Sequence, residues 1–319
     1  MKLLFTYPFR LVLPALLMLT FVACQKTVDN NDDDPSTPTN PGNTTRLSYG
    51  DTLFYLRATA NANLVNPVTK PVGNGYFLSI PKGLSLDSTT GRINLALSET
   101  GIRYKIYFVP QNGTQATDSV RLVISGVDYE DKVYTMNTTP NRYDTAFPIY
   151  NAIPGLALPC LPDDDDDDDG CYFDETDLNN DGNDDIAGVI QSKLLVDRAM
   201  GTLDLEASFE AGIFGGSNPA NGTEGSFTMY YRLNDASNRA LNKITVRIIY
   251  YERRIDIPRS LLNEIDRRNN SRILGRTIIT PGLVQRNPAS IGRLTSVDLI
   301  RSTYTREKRP PMIILTKSL

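Results

Sequence analysis

The chain of 319 residues is long enough for two ordinary domains together with termini and linkers. Its formal net charge of −4 argues against general nucleic-acid binding, which requires a clustered basic surface. The chain contains no His, the commonest general base and transition-metal ligand, and this excludes Ser-His-Asp catalysis, Cys-His catalysis and zinc chemistry.

Residues 1–23 have the composition of a signal peptide. Lys2 and Arg10 supply positive charge, and the apolar stretch LVLPALLMLTFVA follows them. This stretch is short for a bilayer span and contains Pro14, so a permanent transmembrane helix is the weaker interpretation. Its end, FVAC, resembles the lipobox that the lipoprotein signal peptidase cleaves. The resemblance implies lipidation at Cys24; the alternative is a cleaved secretory peptide followed by an incidental cysteine.

Residues 24–45 are predicted to be a lipidated flexible linker, because they are polar, acidic and rich in Pro, Asn and Thr. Acidic residues soon after the lipidated cysteine resemble the surface-export signal of Bacteroidota lipoproteins. The tripeptides that begin at Asp51, Asp87, Asp118 and Asp144 resemble the O-glycosylation motif of the same phylum. Both resemblances imply an outer-membrane lipoprotein on the cell surface, with a periplasm-facing protein as the alternative.

Residues 46–128 have the pattern of short strands separated by turns. Segments such as LFYLRA, GYFLSI and SVRLVIS are rich in β-branched and aromatic residues, with Gly, Asn, Pro and Asp between them. This spacing predicts a β-sandwich. The segment IPKGLSLDSTTGRINL resembles the P-x-G-L-S-L-D-x-x-T-G-x-I signature of immunoglobulin-like, cadherin-like domains on bacterial surfaces. The resemblance implies a tight turn that is closed by Gly91.

The same pattern recurs 110 residues later. Leu86-Asp87-x-x-x-Gly91-x-Ile93-Asn94-Leu95-x-x-Ser98 has its counterpart in Val196-Asp197-x-x-x-Gly201-x-Leu203-Asp204-Leu205-x-x-Ser208. We therefore predict an all-β fold of two tandem Ig-like/cadherin-like β-sandwich domains, the second at residues 129–270. The alternative is that strand–turn–strand units resemble one another generically.

The second domain is predicted to end in one short helix, IPRSLLNEIDRRNN, which has Pro258 near its start. Residues 271–319 are predicted to form a basic, extended and partly disordered tail, because Arg recurs there with little apolar periodicity. The last residues, PPMIILTKSL, have the composition of a final strand.

The clearest chemical motif is DLNNDGNDDI, which begins at Asp177. Oxygen-bearing side chains stand at positions 1, 3, 5 and 9 (Asp177, Asn179, Asp181 and Asp185), and Asn183 offers its carbonyl at position 7. The loop resembles those of EF-hands and dockerins, and more closely the D-x-N-x-D-G-x-x-D loops of integrin-type repeats. The bidentate Glu of an EF-hand is missing, since position 12 is Gly188. We predict a weak structural calcium site; the alternative is an Asn/Asp/Gly-rich surface turn.

Upstream of this motif, Cys160 and Cys171 enclose seven consecutive Asp at 163–169. In an oxidising compartment the two cysteines are predicted to form a disulfide, which would contribute roughly 2–3 kcal/mol by restricting the unfolded chain. The acidic run is predicted to be a solvated loop, and a cation-collecting role is the alternative.

These features predict a calcium-stabilised, non-catalytic binding or structural module, anchored to the membrane by lipid, with an unknown protein or glycan partner and no nucleic acid. The first alternative is an accessory glycan-binding protein of a polysaccharide-capture system. Its support is the abundance of Tyr, including Tyr230, Tyr231, Tyr250 and Tyr251, although strand tyrosines mostly pack in cores. The second alternative is a hydrolase that uses paired carboxylates.

Overall fold

The computed structural model describes residues 45–113, 115–136, 144–160, 170–216, 218–270 and 310–318, all within one compact unit, Asn40–Leu319. The predicted signal peptide, Cys24, the linker up to residue 44 and the run of Asp at 163–169 lie outside the described residues, as does most of the predicted tail. Strands dominate the described part, and the predicted all-β fold class is confirmed.

We call residues 45–125 the first half. Its seven strands are β1 (Leu53–Phe54), β2 (Leu64–Val65), β3 (Gly75–Ile80), β4 (Ser85–Leu86), β5 (Ile93–Asn94), β6 (Ile102–Pro110) and β7 (Asp118–Ile124). One sheet has the order β1-β7-β6-β3 and a smaller sheet has the order β2-β5-β4. The first pair, β1–β7, is parallel, whereas every other pair of these two sheets is antiparallel.

The core of the first half follows the two-residue period of its strands. On β6, Tyr104, Ile106 and Phe108 are buried, and the residues between them point to the opposite face. Phe77 of β3 packs edge-to-face on Phe108, with ring centroids 5.2 Å apart, and Ile93 of β5 completes the core from the small sheet. Two layers therefore enclose one apolar interior.

We call residues 126–318 the second half. Its strands are β8 (Val127–Tyr129), β9 (Lys132–Thr135), β10 (Thr145–Ala146), β11 (Pro148–Tyr150), β12 (Tyr172–Phe173), β13 (Leu195–Val196), β14 (Leu203–Asp204), β15 (Glu224–Arg232), β16 (Asn242–Arg253) and β17 (Met312–Ser318). They form a five-stranded sheet β12-β15-β16-β17-β9, a three-stranded sheet β10-β14-β13 and the pair β11–β8. The predicted helix is present as α2 (Arg259–Asn270), and a helix that was not predicted, α1 (Leu205–Glu210), follows β14.

The C-terminal strand β17 lies in the interior of the five-stranded sheet, parallel to both neighbours. Ile313 and Leu315 point into the main core of the second half, while Met312 and Ile314 point into a separate cluster beneath α2. A strand buried on both faces reads as a continuous apolar run, which explains why MIIL shows no alternation. The predicted final strand is therefore confirmed, and it is part of the core.

The two segments that share the 110-residue pattern also share their turn geometry. The Asp87 carboxylate accepts the amides of Thr89 and Thr90, and the Asp197 carboxylate accepts those of Ala199 and Met200. Each Asp is followed four residues later by a glycine with positive φ, 75° at Gly91 and 66° at Gly201. Both turns are Asx turns closed by glycine, as the sequence pattern predicts.

The serine that ends each copy of the pattern makes equivalent hydrogen bonds. The Ser98 hydroxyl donates to the Asn94 carbonyl and accepts the amide of Ser85. The Ser208 hydroxyl donates to the carbonyl of Asp204 and accepts the amide of Leu195. Each serine thus links the first residue of one strand, β4 or β13, to the last residue of its partner strand, β5 or β14. The two sets of hydrogen bonds are 110 residues apart.

Buried and partly buried hydrogen bonds join the two halves. The Tyr231 hydroxyl on β15 lies 3.0 Å from the Thr100 hydroxyl of the first half and accepts the Val127 amide at 3.0 Å. The Asp235 carboxylate accepts the hydroxyls of Ser125 at 2.7 Å and Tyr150 at 3.0 Å. The hydrogen bonds of Tyr231 are buried and those of Asp235 are partly buried, so polar contacts as well as chain connectivity hold the two halves together.

Candidate functional site

The oxygen-rich motif forms an exposed loop between β12 and β13. The loop is closed at its base by the amide of Asp185, which donates to the Thr176 carbonyl at 2.8 Å. Gly182 has φ 89° and Asn180 has φ 64°, so two residues take the left-handed conformation that lets the chain fold back on itself. The sharp turn expected at Gly182 is present.

The first and last predicted ligands are held by the loop backbone. The Asp177 carboxylate accepts the amides of Asp181 at 3.1 Å and Gly182 at 2.7 Å. The Asp185 carboxylate accepts the amide of Leu178 at 2.9 Å. Partial desolvation raises the pKa of Asp177, but amide hydrogen bonds from Gly182, Asp181 and Asn180 outweigh it and hold the pKa below its ordinary value.

The two amide side chains of the motif pair with its carboxylates. Asn179 donates from Nδ2 to Asp185 at 3.3 Å, and Asn183 donates from its backbone and from Nδ2 to Asp181, both at 3.0 Å. Within the described ranges, no three His, Cys, Asp or Glu side chains are grouped so that they could hold a metal ion. In this conformation, the carboxylate oxygens of the loop accept hydrogen bonds from amide groups of the same loop.

A largely buried ion pair fastens this loop to the sheet. Arg232 on β15 donates from Nε to Glu175 at 2.7 Å and from Nη2 to the carbonyls of Asp177 at 3.1 Å and Leu178 at 3.3 Å. Glu175 in turn accepts the amide of Asp177 at 3.1 Å. Glu175 stands beside the motif, but Arg232 lies more than fifty residues away, and no local pattern links it to the loop.

The glycine at position 12 of the motif has a packing role. The carboxylate of Asp174, only 2% exposed, accepts the amides of Val189 at 2.5 Å and Ile190 at 3.2 Å. A Cβ on Gly188 would lie 2.4 Å from an Asp174 oxygen. No side chain fits at this position, so the bidentate Glu of an EF-hand could not stand here.

The predicted disulfide between Cys160 and Cys171 is present, with Cα atoms 5.0 Å apart. Cys171 is buried in the main core of the second half, and Cys160 packs against that core. Arg239 donates to the carbonyl of Gly170, one residue before Cys171. The bridge therefore fixes both ends of the acidic segment to the core, and the segment itself lies outside the described residues.

The four tyrosines that support the glycan-binding alternative are mostly internal. Tyr231, Tyr250 and Tyr251 are buried, and only Tyr230 of the four is partly exposed. Tyr250 stacks on Phe209 at a centroid distance of 5.2 Å. Tyr231, Tyr250 and Tyr251 are thus core residues, as is usual for strand tyrosines.

A cleft lies where the two halves meet. Its lining includes Glu99 and Thr100 of the first half, Asp128 and Lys243 of the second half, and Pro311 next to β17. Asp128 is buried, and its carboxylate accepts the amide of Tyr129 at 2.9 Å. The carboxylates of Glu99 and Asp128 thus line one cleft. The sequence did not predict this pair, because its members come from different halves.

Among the residues described, no helix is long and apolar enough to cross a membrane.

No family model matches this chain, and no curated protein matches it. Among solved structures, the chain is similar to a SusE-like, surface-located polysaccharide-binding protein from the heparin utilisation locus of Bacteroides thetaiotaomicron. The sequence identity is 12% and the TM-score 0.21, over 64% of this chain and 94% of that chain.

Proposed function

We propose that the chain is a non-catalytic binding module that is displayed on the outer membrane of a bacterium by a lipid on Cys24. The observation that carries the proposal is the hydrogen-bonded junction of Tyr231 and Asp235, which holds two β-rich halves in one fixed arrangement. Binding surfaces on rigid strands lose little conformational entropy when a partner docks. The disulfide supports an oxidising location outside the cytoplasm.

Capture by the full chain in detergent tests the binding role. The chain is applied to a glycan array and to detergent-solubilised envelope proteins. We expect one class of partner to be retained reproducibly; absence of any partner on both would contradict a binding role.

Anchoring is tested separately, by labelling cells with a radioactive lipid precursor. Wild type should be labelled and Cys24→Ala should not, whereas equal labelling would place the lipid elsewhere.

Glycan binding is the more specific candidate. It is favoured by the outward face of the first-half sheet, where Tyr76 and Tyr107 are partly exposed on neighbouring strands. An aromatic side chain that is flush with a flat surface offers a stacking face to a sugar ring. On a glycan array, Tyr107→Ala should lose signal, while Tyr230→Ala, which removes a partly exposed tyrosine from the second half, should keep it.

We also propose that calcium binds the loop 177–185 and stabilises the second half. The donors are carboxylate, amide and carbonyl oxygens, which suit a hard cation, and the loop already wraps around them. Asp177, Asn179, Asp181, Asn183 and Asp185 would hold the ion. Binding would require the Asn179 and Asn183 amides to turn away from the carboxylates they now contact.

Thermal unfolding of the full chain in calcium or in chelator tests this site. We expect millimolar calcium to raise the midpoint, because a ligand that binds only the folded state stabilises it. The double variant Asp177→Asn/Asp181→Asn should lose the shift, and Asp87→Asn, which removes a carboxylate from an Asx turn of the first half, should retain it. Equal midpoints of the wild type in calcium and in chelator would rule out the site.

The cleft at the junction provides the test of the non-catalytic role. If Glu99 and Asp128 were a hydrolytic pair, the chain would release reducing ends from a polysaccharide, and Glu99→Gln would abolish the release. We expect no release by the wild type from a panel of neutral and acidic polysaccharides. Turnover that Glu99→Gln removes would overturn the non-catalytic proposal.

A further inference from the structure

The outer edge of β15 is hydrogen-bonded along only part of its length. The short strand β12 pairs with the last two residues of β15, and the amide of Glu175 donates to the Tyr230 carbonyl at 2.9 Å. Backbone groups alternate in direction along a strand, so those of Glu224, Ser226 and Thr228 point to the same side as those of Tyr230. Within the described ranges, no residue hydrogen-bonds to the backbone of these three residues on that side. We call them the open edge.

The open edge lacks the features by which proteins normally block strand pairing. Natural edge strands are short, carry Lys or Pro, or contain a bulge. By contrast, β15 has nine residues without Lys or Pro, and it pairs with β16 at eight consecutive positions. The carboxylate of Glu224 is neutralised by an ion pair with Arg247 of β16. At the opposite edge of the same sheet, β9 has only four residues and begins with Lys132.

The side chains along the open edge leave its backbone accessible. Ser226 and Thr228 are exposed, whereas Phe227 and Met229 point to the other face of the sheet and into the main core of the second half. Gly225 has no side chain, and a Cβ there would lie 2.6 Å from the Phe227 ring. A glycine inside a strand is typical of a place where another backbone approaches closely.

We propose that the open edge pairs with the same edge of a second copy of this chain, antiparallel and around a two-fold axis at Ser226. The three outward residues are evenly spaced. This register therefore places Ser226 opposite Ser226 of the second copy, and Glu224 opposite Thr228 of the second copy. Each outward amide then meets an outward carbonyl, and the two five-stranded sheets become one continuous sheet.

The side chains of the open edge are complementary to themselves, which an isologous contact requires. The two Ser226 hydroxyls would face each other, and the Thr228 hydroxyl would face the Glu224 carboxylate, which is a hydrogen-bond acceptor. The two Glu224 carboxylates would be four positions out of register. At about 3.4 Å per residue they lie roughly 14 Å apart, beyond the Debye length of about 8 Å at physiological ionic strength. The register thus opposes no like charges.

Disulfide cross-linking of the full chain in detergent tests this register, with oxidised wild type as the baseline. Opposed residues that exchange hydrogen bonds have Cα atoms about 5.5 Å apart, which suits a disulfide. Ser226→Cys should therefore give a covalent dimer. Thr228→Cys is the matched control and should not, because its two copies would lie roughly 14 Å apart. Glu224→Cys/Thr228→Cys should cross-link again, because these two positions oppose each other.

Sedimentation equilibrium of the full chain in detergent measures the association itself. The wild type should form more dimer as its concentration rises. Ser226→Pro should raise the dissociation constant at least about tenfold, because proline removes an outward amide that makes no bond to β16. Ser226→Lys keeps the amide and should weaken the dimer as well, because it places two ammonium groups opposite each other.

Three results would overturn the proposal. The wild type could stay monomeric at every concentration. The covalent dimers of Ser226→Cys and Thr228→Cys could form equally fast, which would indicate random collision. Finally, a dimer that both Ser226→Pro and Ser226→Lys leave unchanged would place the contact elsewhere on the molecule. Pairing of the open edge goes beyond the proposed binding function, and none of these results bears on the glycan or calcium experiments.

Discussion

At the scale of single residues, two glycines determine how closely the repeated turns approach their cores. A Cβ on Gly201 would lie 2.5 Å from the ring of Phe173, and one on Gly91 would lie 2.9 Å from the ring of Phe77. The carbonyl of each glycine accepts a buried tyrosine hydroxyl, from Tyr129 and Tyr49 respectively. Each turn is therefore held in place by two contacts: a phenylalanine ring packs against the glycine, and a tyrosine hydroxyl donates to its carbonyl.

We predict that Gly201→Ala lowers the free energy of unfolding by about 2–5 kcal/mol. A left-handed alanine costs roughly 1–2 kcal/mol and overpacking against the ring adds roughly 1–3 kcal/mol. Gly215→Ala is the matched control, because Gly215 has φ 85° with nothing within 4 Å of a new Cβ. Denaturant unfolding measures both variants. Equal losses would mean that backbone strain alone acts at Gly201.

The sequence was informative where a residue acts on its near neighbours. Asp87, Asp197 and the glycines that follow them were recognisable because an Asx turn needs its parts within five residues. The contacts of Arg232 and Tyr231 could not be recognised, since each side chain acts on groups far away in sequence and nothing in the flanking residues specifies such partners. For the same reason the motif at Asp177 was visible, whereas the ion pair that holds it was not.

At the scale of elements, composition identified the C-terminal strand but not its position in the sheet. An apolar run such as MIIL is compatible with an edge or an interior strand, and only the register places it between β16 and β9. In the first half, β1 pairs directly and in parallel with β7. The second half places β17 at the corresponding point, so its last residues complete both the main core and the cluster under α2.

We predict that Ile314→Asp unfolds the second half or lowers its stability by more than about 4 kcal/mol, because an unpaired carboxylate would be buried in a sheet interior. The control is Ile255→Asp, at a side chain 82% exposed, which should change stability by less than about 0.5 kcal/mol. Hydrogen exchange on the full chain locates the effect. Unchanged protection of β16 and β9 in Ile314→Asp would contradict the central position of β17.

At the scale of the whole molecule, the two halves are coupled through buried and partly buried polar groups rather than through a linker. Tyr231 and Asp235 belong to the β15–β16 hairpin of the second half. The Tyr231 hydroxyl nevertheless contacts Thr100, and the Asp235 carboxylate accepts the hydroxyl of Ser125, both in the first half. Ala240 from the same hairpin packs within the core of the first half. A partner that binds the first half would thus contact a body whose orientation the second half fixes.

This coupling predicts loss of stability at alkaline pH. Burial raises the pKa of Tyr231 to about 12, even though hydrogen bonds from Thr100 and Val127 lower it. Since the folded pKa lies above the unfolded value near 10, the neutral phenol stabilises the fold fully below about pH 10, and this contribution is lost as pH rises toward 12. The loss from this one group amounts to roughly 3 kcal/mol.

We therefore expect Tyr231→Phe to be less stable than the wild type at pH 8, by about 1–3 kcal/mol, because the Val127 amide and the Thr100 hydroxyl lose a buried partner. Between pH 10 and 12 the gap should narrow, since Phe cannot ionise. Denaturant unfolding at pH 8 and between pH 10 and 12 measures this difference in stability. Tyr230→Phe, from the same strand, serves as the control. A gap that stays constant with pH would mean that Tyr231 ionises as easily in the folded chain as in the unfolded one.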